Sequence, residues 1–249
     1  MQPHSPANHT ERARPLLGTR VAIRLSGAPS PANNALIDEA FRIVGEIHRL
    51  MSFHETGSDL HRLNKRAAHE TVEVAPHTWR VLSFAQEISR ASAGVFDVTV
   101  ARELALAGTL PSFEGMTEPS KEASWQDVEL LPGHRVRYRR PLWMDLGGIA
   151  KGYAVDCASN FLRDAGAVQG CVNAGGDLLV FGPAAEQVHL LSATRSGQMP
   201  VLEVSNAAVA SSGGDGAHYN GMTRRLVDRQ RLASVVAPDC MAADALSKV

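Results

Sequence analysis

Residues 145–156, Asp-Leu-Gly-Gly-Ile-Ala-Lys-Gly-Tyr-Ala-Val-Asp, concentrate the features that could handle an anion. A mostly apolar run ending at Leu146 leads into Gly147-Gly148, then Lys151, then a stretch of helical spacing. Glycine admits a ligand close to the backbone, a helix N-terminus presents N–H groups without intrahelical partners, and Lys151 adds a full positive charge. Phosphate or pyrophosphate suits that arrangement; the plain alternative is a tight strand-to-helix connection. The order of residues matches neither G-x-x-x-x-G-K-[ST] nor G-x-G-x-x-G. In Gly94-Val-Phe-Asp97-Val-Thr99, an extended backbone would put Asp97 and Thr99 on one face, which reads first as a buried, hydrogen-bonded carboxylate. His54 and His61 lie seven residues apart without a cysteine partner or an H-E-x-x-H pattern, which argues against zinc. Ser211-Ser212-Gly213-Gly214 lacks the first glycine of the G-x-S-x-G elbow, so a serine hydrolase is not indicated.

The elements that must hold these groups follow from periodicity. Leu36, Ile37, Ala40, Phe41, Val44, Ile47 and Leu50 recur at spacings of three and four, an amphipathic helix. Val81, Leu82, Ala85 and Ile88 predict a second helix after Pro76, and Val155, Ala158, Phe161 and Leu162 a third, ended by Gly166. Strands are predicted over residues 16–25, 94–100, 128–131, 136–138, 141–146, 171–172, 178–181, 188–191 and 201–204. Residues 52–58 read as a loop, followed by a short turn ending at Asn64. The first fifteen residues, rich in Pro, His and Arg, read as a flexible tail before one domain over 16–249. No internal repeat or linker interrupts that domain.

Composition narrows the classes. The chain has 249 residues, 44 % hydrophobic and 20 % charged, with a formal net charge of −1. A charge so near zero gives no footprint for nucleic acid or an anionic membrane. No apolar run approaches the roughly 20 residues of a membrane span. Three scattered cysteines, Cys157, Cys171 and Cys240, read as reduced thiols. With no apolar h-region near Met1, the expected location is the cytoplasm.

Taken in order along the chain, these pieces resemble the ApbE family, the FAD:protein FMN transferases. The stretches that carry the resemblance are Leu17-Gly18-Thr19, Met51-Ser52 with 58–64, 94–99, 145–156, Asn173-Ala174-Gly175-Gly176, Ser211-Ser212-Gly213 and 235–246. The resemblance implies an α+β fold, T-fold-related, with mixed sheets and packed helices in a single domain, undivided or of two lobes. It implies a Mg²⁺-dependent enzyme that transfers FMN from FAD to a threonine of a partner protein and releases AMP. An FAD pyrophosphatase yielding FMN and AMP, and an FAD-binding relative without transfer chemistry, are the competing readings. Flavin-nucleotide contacts are implied at Leu17, His54, Val95 and Phe96, and further at Asp97, Asp145, Lys151 and Val227. Metal contacts are implied at the Gly148 carbonyl and Asp244. Oxygen ligands of that kind suit a hard ion such as Mg²⁺.

Three departures bear on the activity. His54 stands where the family has a tyrosine. Lys248 stands four residues after Asp244, where the family has a metal-site threonine. Either Ser247 on the same helix face supplies its hydroxyl instead, or Lys248 puts an ammonium where the metal would sit, or Lys248 is simply solvated. Arg225-Leu-Val-Asp228 replaces a His-Ile-Ile-Asp-Pro-x-Thr-Gly segment, leaving Asp228 and His218 as the catalytic candidates. The family continues for a further helix and strand beyond Leu246, so the expectation is a short or truncated form.

Overall fold

The structure is a computed structural model that describes residues 9–111, 116–190, 200–213, 218–227 and 232–249. In chain order the described elements are β1 (His9–Leu16), β2 (Thr19–Ser26), α1 (Pro31–Met51), α2 (Asp59–Arg66), β3 (Val72–Glu73), α3 (Pro76–Ala91), α4 (Ala101–Leu106), β4 (Val128–Leu131) and β5 (Arg135–Tyr138). There follow α5 (Ala150–Asp164), β6 (Gly170–Ala174), β7 (Asp177–Phe181), β8 (Glu186–His189), β9 (Val201–Val204), β10 (Ala207–Ser212), β11 (Tyr219–Asn220), β12 (Arg225–Leu226), β13 (Ala233–Ala237) and α6 (Cys240–Leu246). The fold is α+β, and the chain forms two compact units. One comprises the chain up to Glu46, Lys151–Ser211 and Ser234–Ala243; the other comprises Ile47–Ala150, Ser212–Ala233 and Asp244–Val249.

The first unit is built on a six-stranded sheet of order β1-β2-β6-β7-β10-β13. Alternation decides its faces. Val21, Ile23 and Leu25 of β2, Val172 of β6 and Ala208 of β10 are buried on one side, in the unit that also holds the apolar stripe Ile37, Ala40, Phe41 and Val44 of α1. Cys171, Leu178, Val180 and Val209 form a cluster with Val204, against which Val188 and Leu202 of the β8–β9 hairpin pack. The first strand corrects the flexible tail expected before residue 16 over residues 9–15; residues 1–8 lie outside the described residues. From His9 the backbone pairs with β2 in unbroken register, His9↔Ser26 through Leu16↔Thr19. Its connection is the two-residue turn Leu17-Gly18, with φ of 56° and 69°, a geometry that matches the twist of paired strands. The charged composition that suggested a tail has partners here: Arg12 and Arg14 both reach Asp38 of α1, and the Arg14 guanidinium lies 4.7 Å from the centre of the Phe41 ring.

The second unit contains α2, α3 and α4, the three-stranded sheet β3-β5-β4 and the β11–β12 pair. Helix α2 forms where only a turn was expected, because Ser58 caps it: its Oγ accepts from the His61 N–H at 2.9 Å and donates to the Ser52 carbonyl at 2.7 Å. Two predicted strands are absent. Residues 94–100 form successive turns leading into α4, since Asp97 Oδ1 accepts from both the N–H and the hydroxyl of Thr99 at 2.8 Å. This side-chain turn replaces the shared strand face. Residues 141–146 join no sheet. Instead the Asn64 side chain substitutes for a neighbouring strand, accepting from the Met144 N–H at 2.8 Å and donating to the Met144 carbonyl at 2.9 Å. Met144 is wholly buried and Asn64 nearly so. Asn64→Ala should therefore cost about 2–4 kcal/mol in urea unfolding, because two backbone groups lose their partners away from water. A loss below about 1 kcal/mol would mean the segment is held by packing alone.

Candidate functional site

The turns at 94–98, the segment 145–148 and the start of β11 converge, within the second unit, on a cavity of about 310 Å³. Val95, Phe96, Val98, Leu104 and Leu110 supply apolar walls; Asp97, Asp145, His218, Tyr219 and Lys248 bring polar groups to them. A mostly apolar hollow with a few convergent polar groups is the usual form of a small-molecule site. At one side Gly147-Gly148 turns the chain into α5, with the Gly147 N–H donating to Asp145 Oδ2 at 3.1 Å. The His218 ring is hydrogen-bonded to the backbone of Lys248. Burial lowers its proton affinity below the ordinary imidazole range, and the Lys248 charge acts in the same direction.

Asp97 is a heavily bonded carboxylate of this unit. Besides Thr99, it accepts from the Trp125 N–H at 3.2 Å and from Arg224 Nη2 at 2.9 Å. Its side chain is 1 % exposed. Burial pushes its pKa up, opposed chiefly by the Arg224 charge. Arg224 also donates to Thr99 Oγ1 at 3.0 Å and to the Ala123 carbonyl at 2.6 Å, so one guanidinium ties together three separate segments. The Gly221 backbone lies against the same turn: a Cβ there would fall 2.3 Å from Asp97 Cβ and 2.5 Å from the Gly94 carbonyl oxygen. Sequence reading missed Arg224, because it sits outside any periodic element and its partner is 127 residues away.

A profile of the ApbE family matches residues 17–249. The chain belongs to the ApbE family. It is 26 % identical over 269 residues to the FAD:protein FMN transferase of Vibrio cholerae, covering 97 % of this chain and 80 % of that protein. With the FAD:protein FMN transferase of Haemophilus influenzae it shares 25 % identity over 242 residues, covering 84 % of this chain and 70 % of the relative. Among solved structures, the ApbE protein of Thermotoga maritima superposes with a TM-score of 0.82 at 28 % identity, covering 96 % of this chain and 85 % of that one. The flavin transferase ApbE of Vibrio cholerae does so at 0.83 and 24 % identity, covering 98 % and 86 %; at that identity it speaks to the fold.

Set on this ApbE chain, the residues singled out in the sequence fall into distinct places. Val95, Phe96, Asp97, Asp145, Gly148 and His218 line the cavity. His54 is exposed and does not line it; its N–H donates to Ser52 Oγ at 3.2 Å. Val227 meets His218 through the backbone, its N–H donating to the His218 carbonyl at 2.7 Å. Asp228 lies outside the described residues. Leu17 and Lys151 belong to the first unit. Leu17 is in the β1–β2 turn, and Lys151, in the first turn of α5, has its Nζ 2.9 Å from Asp177 Oδ2. Asp156, the last residue of the 145–156 stretch, caps α6, accepting from the N–H groups of Cys240 and Met241 at 2.7 and 2.8 Å. Burial raises its pKa to about 6.

The family implies a divalent metal at Gly148, Asp244 and a threonine that Lys248 replaces, with Ser247 as the hydroxyl that could stand in, and the residues present do not fit one. The Asp244 side chain is fully buried. Lys248 Nζ lies 3.1 Å from Asp244 Oδ1 and 2.7 Å from Ser247 Oγ, with the Asp244 carbonyl at 3.4 Å. Its stem covers Gly148, since a Cβ on that glycine would lie 3.6 Å from Lys248 Cγ. Mg²⁺ requires near-octahedral oxygens at about 2.0–2.1 Å, whereas the carboxylate and hydroxyl here are engaged by an ammonium. A divalent ion about 4 Å from that ammonium would meet a repulsion on the order of 8 kcal/mol at an effective dielectric constant of 20. Among the described residues no cluster of three His, Cys, Asp or Glu offers another metal site, and no helix is long and apolar enough to cross a membrane.

Proposed function

We propose that this chain is an FAD:protein FMN transferase, moving FMN from FAD onto a threonine hydroxyl of an acceptor protein and releasing AMP. The observation that carries the reading is the cavity itself: apolar walls fit for a ring system, bounded by the Asp145–Gly148 turn and the Lys248 ammonium. Family membership and the names of the relatives agree with it. In the proposed step the acceptor oxygen attacks the FMN-side phosphorus. The bond from that phosphorus to the bridging oxygen breaks, and AMP leaves with the electron pair. The hydroxyl proton passes to His218: an imidazole whose one ring nitrogen is held by the Lys248 backbone keeps the other for proton transfer. Positive charge beside the leaving phosphate stabilises the negative charge that builds on it. Asp97, fixed by Arg224, holds the wall in shape and takes no part in bond changes.

The test is a titration with FAD, with and without Mg²⁺, in which AMP is followed by chromatography and covalent flavin is followed on a threonine-containing acceptor peptide. The expected outcome is stoichiometric AMP and flavinylated peptide. AMP without flavin on any acceptor would make the chain a pyrophosphatase, and bound FAD that yields no AMP under either condition would leave only flavin binding.

A further inference from the structure

Resting on that reading, we infer that Lys248 is the built-in cation of the site, so that a diphosphate ester is bound and cleaved there without a divalent metal. The inference follows from what surrounds its side chain. The stem runs along Gly148, and the ammonium sits within hydrogen-bond range of Asp244 Oδ1 and Ser247 Oγ. Gly148 and Asp244 are positions at which the family implies a metal, Ser247 is the hydroxyl that could stand in for the family's threonine, and the Lys248 side chain reaches all three. Lys248 is not a solvated terminal residue, because its side chain is only 19 % exposed and it lines the cavity together with Asp145, Gly148 and His218. The buried Asp244 carboxylate orients the ammonium, and the Ser247 hydroxyl, which itself donates to the Asp244 carbonyl at 2.8 Å, accepts one of its protons. An ammonium has three donors, and lysine is a common point-charge partner for phosphate. The carboxylate and the hydroxyl take two of these donors, and the third meets the Asp244 carbonyl only at 3.4 Å, a weak contact that a phosphate oxygen in the cavity would replace.

The bonds made and broken are those of the proposed transfer. The phosphorus–bridging-oxygen bond breaks towards AMP, and Lys248 stays protonated throughout, acting by charge and hydrogen bonding. A divalent ion becomes superfluous where the ammonium stands, and removing the ammonium reopens an oxygen-lined site.

The experiment pairs two readouts on the full chain. Mn²⁺ binding, followed by its electron paramagnetic resonance signal, needs no turnover; AMP release from FAD is then measured in EDTA and in excess Mg²⁺. The wild-type chain is expected to leave Mn²⁺ free at millimolar concentration, and to release AMP at rates within about twofold in EDTA and in Mg²⁺. Lys248→Thr is expected to bind one Mn²⁺, and to lose AMP release at least about a hundredfold in EDTA, with recovery in Mg²⁺. Lys248→Met should be slow in both. Stoichiometric Mn²⁺ binding by the wild-type chain, or AMP release that EDTA abolishes, would overturn the inference. So would Lys248→Met with undiminished release in EDTA. If no protein releases AMP in any medium, the transferase reading fails, and the Mn²⁺ comparison between wild type and Lys248→Thr still decides the cation.

Discussion

Arg224→Met is expected to lower the stability of the folded chain by roughly 3–5 kcal/mol at pH 8, the cost of leaving a buried carboxylate without its counter-charge. Asp97 is 1 % exposed at its side chain beneath Arg224, so in the wild-type fold its charge is offset by the guanidinium and not by water. Three hydrogen bonds from Thr99 and Trp125 would remain on the carboxylate; they satisfy its oxygens without neutralising its charge. The pH dependence separates this cause from lost packing. Burial already raises the Asp97 pKa in the folded state, and Arg224 opposes that shift. Without Arg224 the folded-state pKa rises further above the unfolded one. A carboxyl with a raised folded pKa contributes stability that is present at low pH and lost as pH rises through that value. The deficit of Arg224→Met should accordingly shrink towards pH 5 and be full at pH 8, measured by urea unfolding at both. Equal deficits at the two pH values would rule out the charge argument. Arg224→Lys, which keeps the charge but not the fork, should fall between wild type and methionine.

The second large effect is expected at Asp156. Asp156→Ala removes the acceptor of two N–H groups at the start of α6, at Cys240 and Met241, both buried, and should cost about 2–4 kcal/mol. Asp156→Asn isolates the titration. The folded pKa of about 6 lies above the ordinary value of 3.8 because burial disfavours the charge. The raised value makes the wild-type fold bind the proton more tightly than the unfolded chain does. Its contribution is therefore present below about pH 4 and fades as pH rises to about 6. Over that window it amounts to no more than about 3 kcal/mol. Asp156→Asn should flatten this part of the stability–pH curve, and an unchanged slope in the variant would show that other groups set it.

How far the sequence reveals this molecule depends on whether a residue speaks through periodicity. Helices α1, α3 and α5 are visible in the spacing of their apolar residues, and Gly166, at φ 90°, ends α5 as its position suggests. The β6–β7 hairpin can be read from two apolar runs around Asn173-Ala174-Gly175-Gly176. Residues 94–100 and 141–146 mislead, because their apolar composition mimics strands while side chains do the pairing: Asp97 closes a turn on Thr99, and Asn64 takes the place of a strand beside Met144. Strand β1 is hidden by its charges, whose partners, Asp38 and the Phe41 ring, belong to a helix that begins only later in the chain. At the candidate site, the cavity residues from 95–97 and 145–148 come to notice through family resemblance more than through spacing. The ammonium at Lys248 is visible as one of three options, and burial beside Asp244 selects among them. Arg224 leaves no trace in the sequence pattern at all.

Two of the side-chain ties to distant backbone also have a meaning in time. Asp156 reaches Cys240 across 84 residues and Asn64 reaches Met144 across 80, whereas β1 and β2 are joined by two. Loop closure makes the short hairpin quick to form and the long connections slow. The hairpin can therefore be in place at the folding barrier, while the Asp156 and Asn64 bonds close after it has been crossed. Interactions made after the barrier act on the escape rate. These two residues thus govern how long a folded molecule persists, and scarcely how fast it is made.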